Sequence, residues 1–335
     1  MTVKQFCALA DISEEQFTGK EKIVQWEGNE DFDLSEFTEI PDGFNPHVVG
    51  NLNMKNVLTI PKGFNPVVEG CLWLSSVTMI PENFAPIVYC LDLSNITTLS
   101  KGFSPVGCNS MCLNKVTSIE GEFSFKLKGS LDFESLVAIP EGFNPEVGGC
   151  LTLGGFPTSM SYIPKTESLK QMSTIIPENF NLIVEGNLYL DNLKTIPKGF
   201  KPIVGQNLSL RGLIEIPNDF NPMVFGNIYM NNVTSVPDNF NLIVGGSLYM
   251  DNLVSIPKNF SPVVGGFLSL DSVDVIPEDF NPSMSGIAVG LCKKLTAPMR
   301  VITKRNRWRG NAVAEQLNII KKQIIWKWQS NNSVY

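Results

Sequence analysis

Apolar residues recur along the chain with two superposed periods. The longer is twenty residues: the dipeptide Ile-Pro opens a unit at Ile40, Ile60, Ile80, Ile139, Ile176, Ile196, Ile216, Ile256 and Ile276. Val236-Pro237 is a further copy and Leu99 and Ile119 begin degenerate ones, so twelve copies align over residues 36–290. The unit reads I-P-x-G/N-F-N-P-x-V-x-G-x-L-x-L-x-x-V-x-x, with Phe at position 5 in all twelve copies. Such a unit buries its apolar side only by stacking on its neighbours, which is the logic of a solenoid.

The shorter period is two. Positions 13 and 15, as in Leu72 and Leu74 or Leu188 and Leu190, alternate with polar positions and predict a short strand buried on one face. Position 18 and the Ile of the next unit turn the chain inward again. Pro at positions 2 and 7 cannot donate to a ladder, and Gly or Asn at position 4 permits a left-handed turn, so that half of each coil reads as irregular or polyproline-like. The expected fold is mainly β, a solenoid with a parallel sheet and about twelve coils over 36–290, interrupted by a loop at 154–175. Caps are expected at both ends. Residues 1–35 hold a helix start at Ser13-Glu14-Glu15-Gln16. In 291–335, Val313, Leu317, Ile320, Ile324 and Trp328 form one helical stripe.

The wording Leu188-Tyr189-Leu190 through Leu193, Ile196-Pro197 and Phe200 resembles the leucine-rich repeat. The period is similar to that of the short bacterial class in secreted effectors, and the Ile-Pro…Gly-Phe-Asn-Pro wording is similar to repeat proteins of enterobacterial phages and prophages. That resemblance implies a concave parallel sheet that binds protein partners. Two features depart from it. Asn56, Asn95, Asn192, Asn232 and Asn252 sit two residues after the second strand Leu rather than three, so the turn differs and a parallel β-helix is the alternative. The secreted ubiquitin ligases of the effector class carry a large catalytic domain beyond the repeats, whereas about 45 residues follow them here, so ligase activity is not expected.

Composition narrows the chemistry. His47 is the one histidine of 335 residues, so a multi-histidine metal site is excluded and any His-dependent triad must use it. No acid or nucleophile at a telling spacing accompanies it, and no phosphate loop, dinucleotide fingerprint or metal-ligand cluster appears. The expectation is a non-enzymatic protein without cofactor or metal. No apolar run suggests a signal peptide or a membrane span, which predicts a cytoplasmic chain with no membrane role. Seven cysteines without a Cys-x-x-Cys pair read as reduced, buried side chains, although Cys71 and Cys90 occupy equivalent positions in successive coils.

The net charge of −7 conceals a split. Residues 1–290 hold 16 basic and 32 acidic side chains, for −16, and residues 291–335 hold ten basic and one acidic, for +9. Arg300, Lys304, Arg305, Arg307 and Arg309, with Trp308 among them, could contact nucleic acid, or the acidic array could imitate it. The stronger candidate is the row at position 14, expected to face outward. It carries Trp73, Tyr189, Tyr229 and Tyr249, with Asp191, Asp251 and Asp271 beside them at position 16. Tyrosine gives apolar area with a polar tip and is enriched at binding hot spots, so this row is the expected protein-binding face.

Overall fold

The computed structural model describes residues 3–11, 23–24, 31–121, 126–143, 145–154, 175–180, 182–277, 280 and 282–284. The chain is mainly β, a parallel β-solenoid of about 11 turns with almost no helix. It divides into two compact units, Met1–Asn192 and Leu193–Tyr335, each built from the same coil.

Each coil begins with a turn dictated by its sequence. In the first unit the Phe64 N–H donates to the Pro61 carbonyl at 3.2 Å, and in the second Phe260 donates to Pro257 at 3.3 Å. The residue before the Phe takes φ > 0 at Gly63 (φ 84°) and Asn259 (φ 56°), a conformation that glycine and asparagine adopt at low cost. Positions 13 and 14 then form the expected strand. In the first unit the ladder runs through Leu52–Asn53, Leu72–Trp73, Leu91–Asp92, Met111–Cys112, Leu131–Asp132, Leu151–Thr152 and Leu188–Tyr189, all parallel and in register. In the second it runs through Leu208–Ser209, Ile228–Tyr229, Leu248–Tyr249 and Leu268–Ser269. A second turn follows, with Val77 N–H bonded to Leu74 O and Leu253 N–H to Met250 O, both at 3.1 Å.

The half expected to be irregular holds a second strand at positions 8 and 9. Ile203–Val204, Met223–Val224, Ile243–Val244 and Val263–Val264 form its ladder in the second unit, and Lys126–Leu127, Glu146–Val147 and Ile183–Val184 part of it in the first. Proline at position 7 caps this strand instead of abolishing it, because its missing N–H lies outside the ladder. Bridges near position 20, such as Glu39–Thr59 and Glu215–Ser235, add a third side. This three-sided coil is consistent with a parallel β-helix.

Glycine makes the corner between the two strands. A Cβ at Gly246 would lie under 3.0 Å from the backbone of Gly226 one coil below, and a Cβ at Gly70 would meet Gly50 in the same way. Inside, the position-5 phenylalanines form ladders. Phe44, Phe64, Phe84 and Phe103 stack at 6.1–6.4 Å between centroids in the first unit, as do Phe240, Phe260 and Phe280 at 6.0–6.4 Å in the second. Near-parallel rings at this separation are offset-stacked, which suits the ring quadrupoles.

The strands on either side of the 154–175 segment pair directly, Leu151 with Leu188 and Val147 with Val184, so the ladder keeps its register there. Residues 155–174 themselves lie outside the described residues. Of the expected helices, the Ser13 start and the Val313 to Trp328 stripe also lie outside them. The helix that is described, Val3–Leu9, is earlier than expected; it buries Phe6 against Phe37 and Phe44, each at 4.9 Å. Among the described residues no helix is long and apolar enough to cross a membrane.

Candidate functional site

The outward positions of the 13–14 strand are spaced by the ladder, about 4.8 Å per rung. That spacing sets what each side chain can touch. In the first unit the row reads Trp73, Asp92, Cys112, Asp132, Thr152, Tyr189. Trp73 and Tyr189 are therefore five rungs apart, about 24 Å, and the structure does not bring them together. The four expected aromatics are half-buried, not fully exposed, since neighbouring rungs cover part of each ring.

Between Trp73 and Tyr189 lies a polar stretch that the sequence pattern does not single out. The Asp92 carboxylate accepts from the Ser75 hydroxyl at 2.6 Å and the Ser94 N–H at 3.0 Å, and Asp132 accepts from the Thr152 hydroxyl at 2.8 Å. Cys112 sits between these two acids. Burial first, then the negative charge of Asp92, pushes its thiol up to about 11. Burial pushes Cys108 up to about 12. Burial, with Asp132 beside it, also raises the Glu134 carboxyl. These thiols are protonated at neutral pH and poor nucleophiles. No group of three or more His, Cys, Asp or Glu among the described residues is arranged to hold a metal ion.

The sequence predicts Cys71 and Cys90 to be reduced, and the structure instead joins them in a disulfide. They are register partners on adjacent strands with Cα atoms 4.5 Å apart, so the coil stacking alone brings them within bonding reach. His47, unaccompanied in the sequence, lies 3.2 Å from the Glu69 carboxylate in the next coil, an exposed pair worth little.

The second unit brings its aromatics together. Tyr229 and Tyr249 are register partners whose rings stack at 4.9 Å with 7° between planes. The Arg211 guanidinium lies 4.9 Å from the Tyr229 centroid, a cation–π contact across one coil. Asn227 donates to the Tyr229 hydroxyl at 3.2 Å. Asp251 accepts from Asn231 and from the Ser269 hydroxyl, which fixes its carboxylate beside Tyr249. Asp271 is exposed on the next coil, while Asp191, in the first unit, is half-buried. The result is a stiff patch: flat rings held by a cation at one end and acids at the other, on a scaffold whose coils are locked by side-chain bonds. Among these are Asn227 Oδ1 to Ser247 N and Ser247 Oγ to Phe267 N, at 2.7 and 2.9 Å.

The strand at positions 8 and 9 adds a surface beyond those expected. Ile203, Met223, Ile243 and Val263 point outward in consecutive coils of the second unit, and Ile87 and Val106 do so in the first. A signal for it is present in the sequence: position 8 is apolar in most copies and alternates with buried Val at position 9. Arg300, Lys304, Arg305, Arg307, Trp308 and Arg309 lie outside the described residues.

The coil places the chain in the class of parallel β-solenoid repeat proteins. No family model, curated protein or solved structure matches it.

Proposed function

We propose that the chain is a non-enzymatic scaffold that captures a protein partner on its 13–14 sheet face, acting as an inhibitor, adaptor or effector. The resemblance to bacterial and phage repeat proteins makes interference with a host or defence complex the setting we favour. The observation that carries the reading is the Tyr229–Tyr249 stack, braced by Arg211 and Asp251. Two large aromatic rings held half-exposed and already ordered give a partner apolar area at low entropic cost. The raised Cys108 and Cys112 thiols are poor nucleophiles at neutral pH, and His47 is paired with an exposed carboxylate.

The test is affinity capture from bacterial lysate with the wild type and with the Tyr229→Ala/Tyr249→Ala variant. A partner held by the wild type and lost by the folded variant supports the reading. Equal recovery by both rejects it. The rival is a nucleic-acid-related module, favoured by the separation of −16 and +9 along the chain. It predicts steeply salt-dependent DNA binding that disappears when residues 298–335 are deleted.

A further inference from the structure

We propose that the second unit carries a slot for a guanidinium group, formed by the outer face of Tyr249 with Ser269, Asp251 and Asp271, and that the protein partner inserts an arginine side chain there. The inference rests on the protein-binding reading and specifies the chemistry of its contact.

The row Ser209, Tyr229, Tyr249, Ser269 has its two rings in the middle. Because the rings stack on each other, each keeps one face turned along the row. The guanidinium of Arg211 lies over Tyr229. With Tyr249 holding the other face, Arg211 occupies the face on the Ser209 side. The chain's own arginine thus completes one end of the stack.

The opposite end has the same small residue and, among the described residues, no cation over the ring. Ser269 ends at a hydroxyl, which it donates to Asp251, so it raises no ring against Tyr249. Ser209 is 1% exposed, whereas Ser269 remains half-exposed. The residues at position 16 differ in the way this asymmetry requires: Arg211 at the closed end, Asp251 and Asp271 at the open one. Asp251 is oriented by Asn231 and Ser269. Asp271 is exposed and makes no hydrogen bond or ion pair among the described residues.

An aromatic face bordered by two carboxylates favours a cation, and a flat one best. Guanidinium can lie against the ring while its N–H fork donates to the acids. A lysine ammonium gains the charge without the stack, and a neutral planar group gains the stack without the charge.

The test titrates the full chain with three capped tripeptides, Gly-X-Gly, in which X is arginine, lysine or the uncharged isostere citrulline. Tyrosine ring signals are followed by NMR. The arginine peptide is expected to shift the Tyr249 ring saturably, lysine to bind more weakly, and citrulline to have no effect. Asp271→Asn changes an exposed side chain, so the fold is kept, and it should weaken arginine binding by up to about fivefold. Tyr249→Leu should abolish it. Equal binding of citrulline, or unchanged affinity in both Asp251→Asn and Asp271→Asn, would overturn the slot. Binding that emerges only after Arg300, Arg305, Arg307 and Arg309 are changed to Gln would overturn the partner as the occupant and assign the slot to the chain's own arginines. Failure of the peptide with Tyr-dependent partner capture intact removes the arginine slot and leaves the protein-binding reading standing.

Discussion

Tyr229 and Tyr249 lie on adjacent rungs of one parallel ladder with their rings 4.9 Å apart and 7° from parallel. The ladder imposes the separation, so the stack is a consequence of placing tyrosine at position 14 in two consecutive coils. Aromatic pairs of this kind contribute about 0.5–1.5 kcal/mol beyond area burial. A double-mutant cycle with Tyr229→Leu and Tyr249→Leu, read by urea unfolding, should give a coupling energy in that range. Strict additivity would show that the rings merely coexist.

The turn and corner glycines separate two physical demands that composition alone cannot distinguish. Gly63 has φ 84° and open space where a methyl group would sit, so Gly63→Ala should cost about 1 kcal/mol through backbone strain, and Gly63→Asn less. Asn83 already shows that asparagine adopts this conformation at the same repeat position. Gly246→Ala should cost more than either, because its methyl group would strike the backbone of Gly226. Thermal unfolding of the three variants orders them.

In the first unit the rings of Phe44, Phe64, Phe84 and Phe103 stack through the core from coil to coil. Phe64 is 1% exposed and stacks on both Phe44 and Phe84. Phe64→Ala leaves a void bounded above and below by rings that the backbone ladder holds in place, so it should destabilise by about 3–5 kcal/mol. A loss well under that range would mean that the adjacent coils collapse together.

Much of this architecture is legible in the sequence, because the twenty-residue period and the alternation at positions 13 and 15 are each dictated by what one coil must bury. The second strand is not. Its two residues follow a proline, and two-residue strands leave too short a pattern to separate from a polyproline turn. Contacts between coils are harder still: Arg211 meets Tyr229, and Cys71 meets Cys90, only once coils are stacked in register. The row at position 14 is readable as a face, but its degree of exposure is not, since rungs at about 4.8 Å shield one another. The asparagines two residues after the strand also gain a role: Asn56 and Asn232 each donate to a carbonyl one coil below, those of Ser35 and Arg211, at 2.7 and 2.6 Å.

The thiols make a pH prediction. Cys108 and Cys112 are pushed up to about 12 and about 11 by burial, with Asp92 adding to Cys112. Their thiolates are suppressed in the folded chain relative to the unfolded one. Alkylation by iodoacetamide should therefore be slow at pH 8 and accelerate only toward about pH 11. The sign for stability follows: a raised folded value favours the native state below the unfolded value of about 9, and that contribution is lost as pH rises through the folded value. Rapid modification of Cys112 at pH 8 without unfolding would contradict the burial argument.

A protein partner seated on the aromatic sheet face of the second unit would leave a footprint in backbone hydrogen exchange, measured on the full chain with and without the captured partner. Added protection is expected in the strands carrying Tyr229, Tyr249 and Ser269. Protection confined to residues 291–335, with those strands unchanged, would contradict binding at this face.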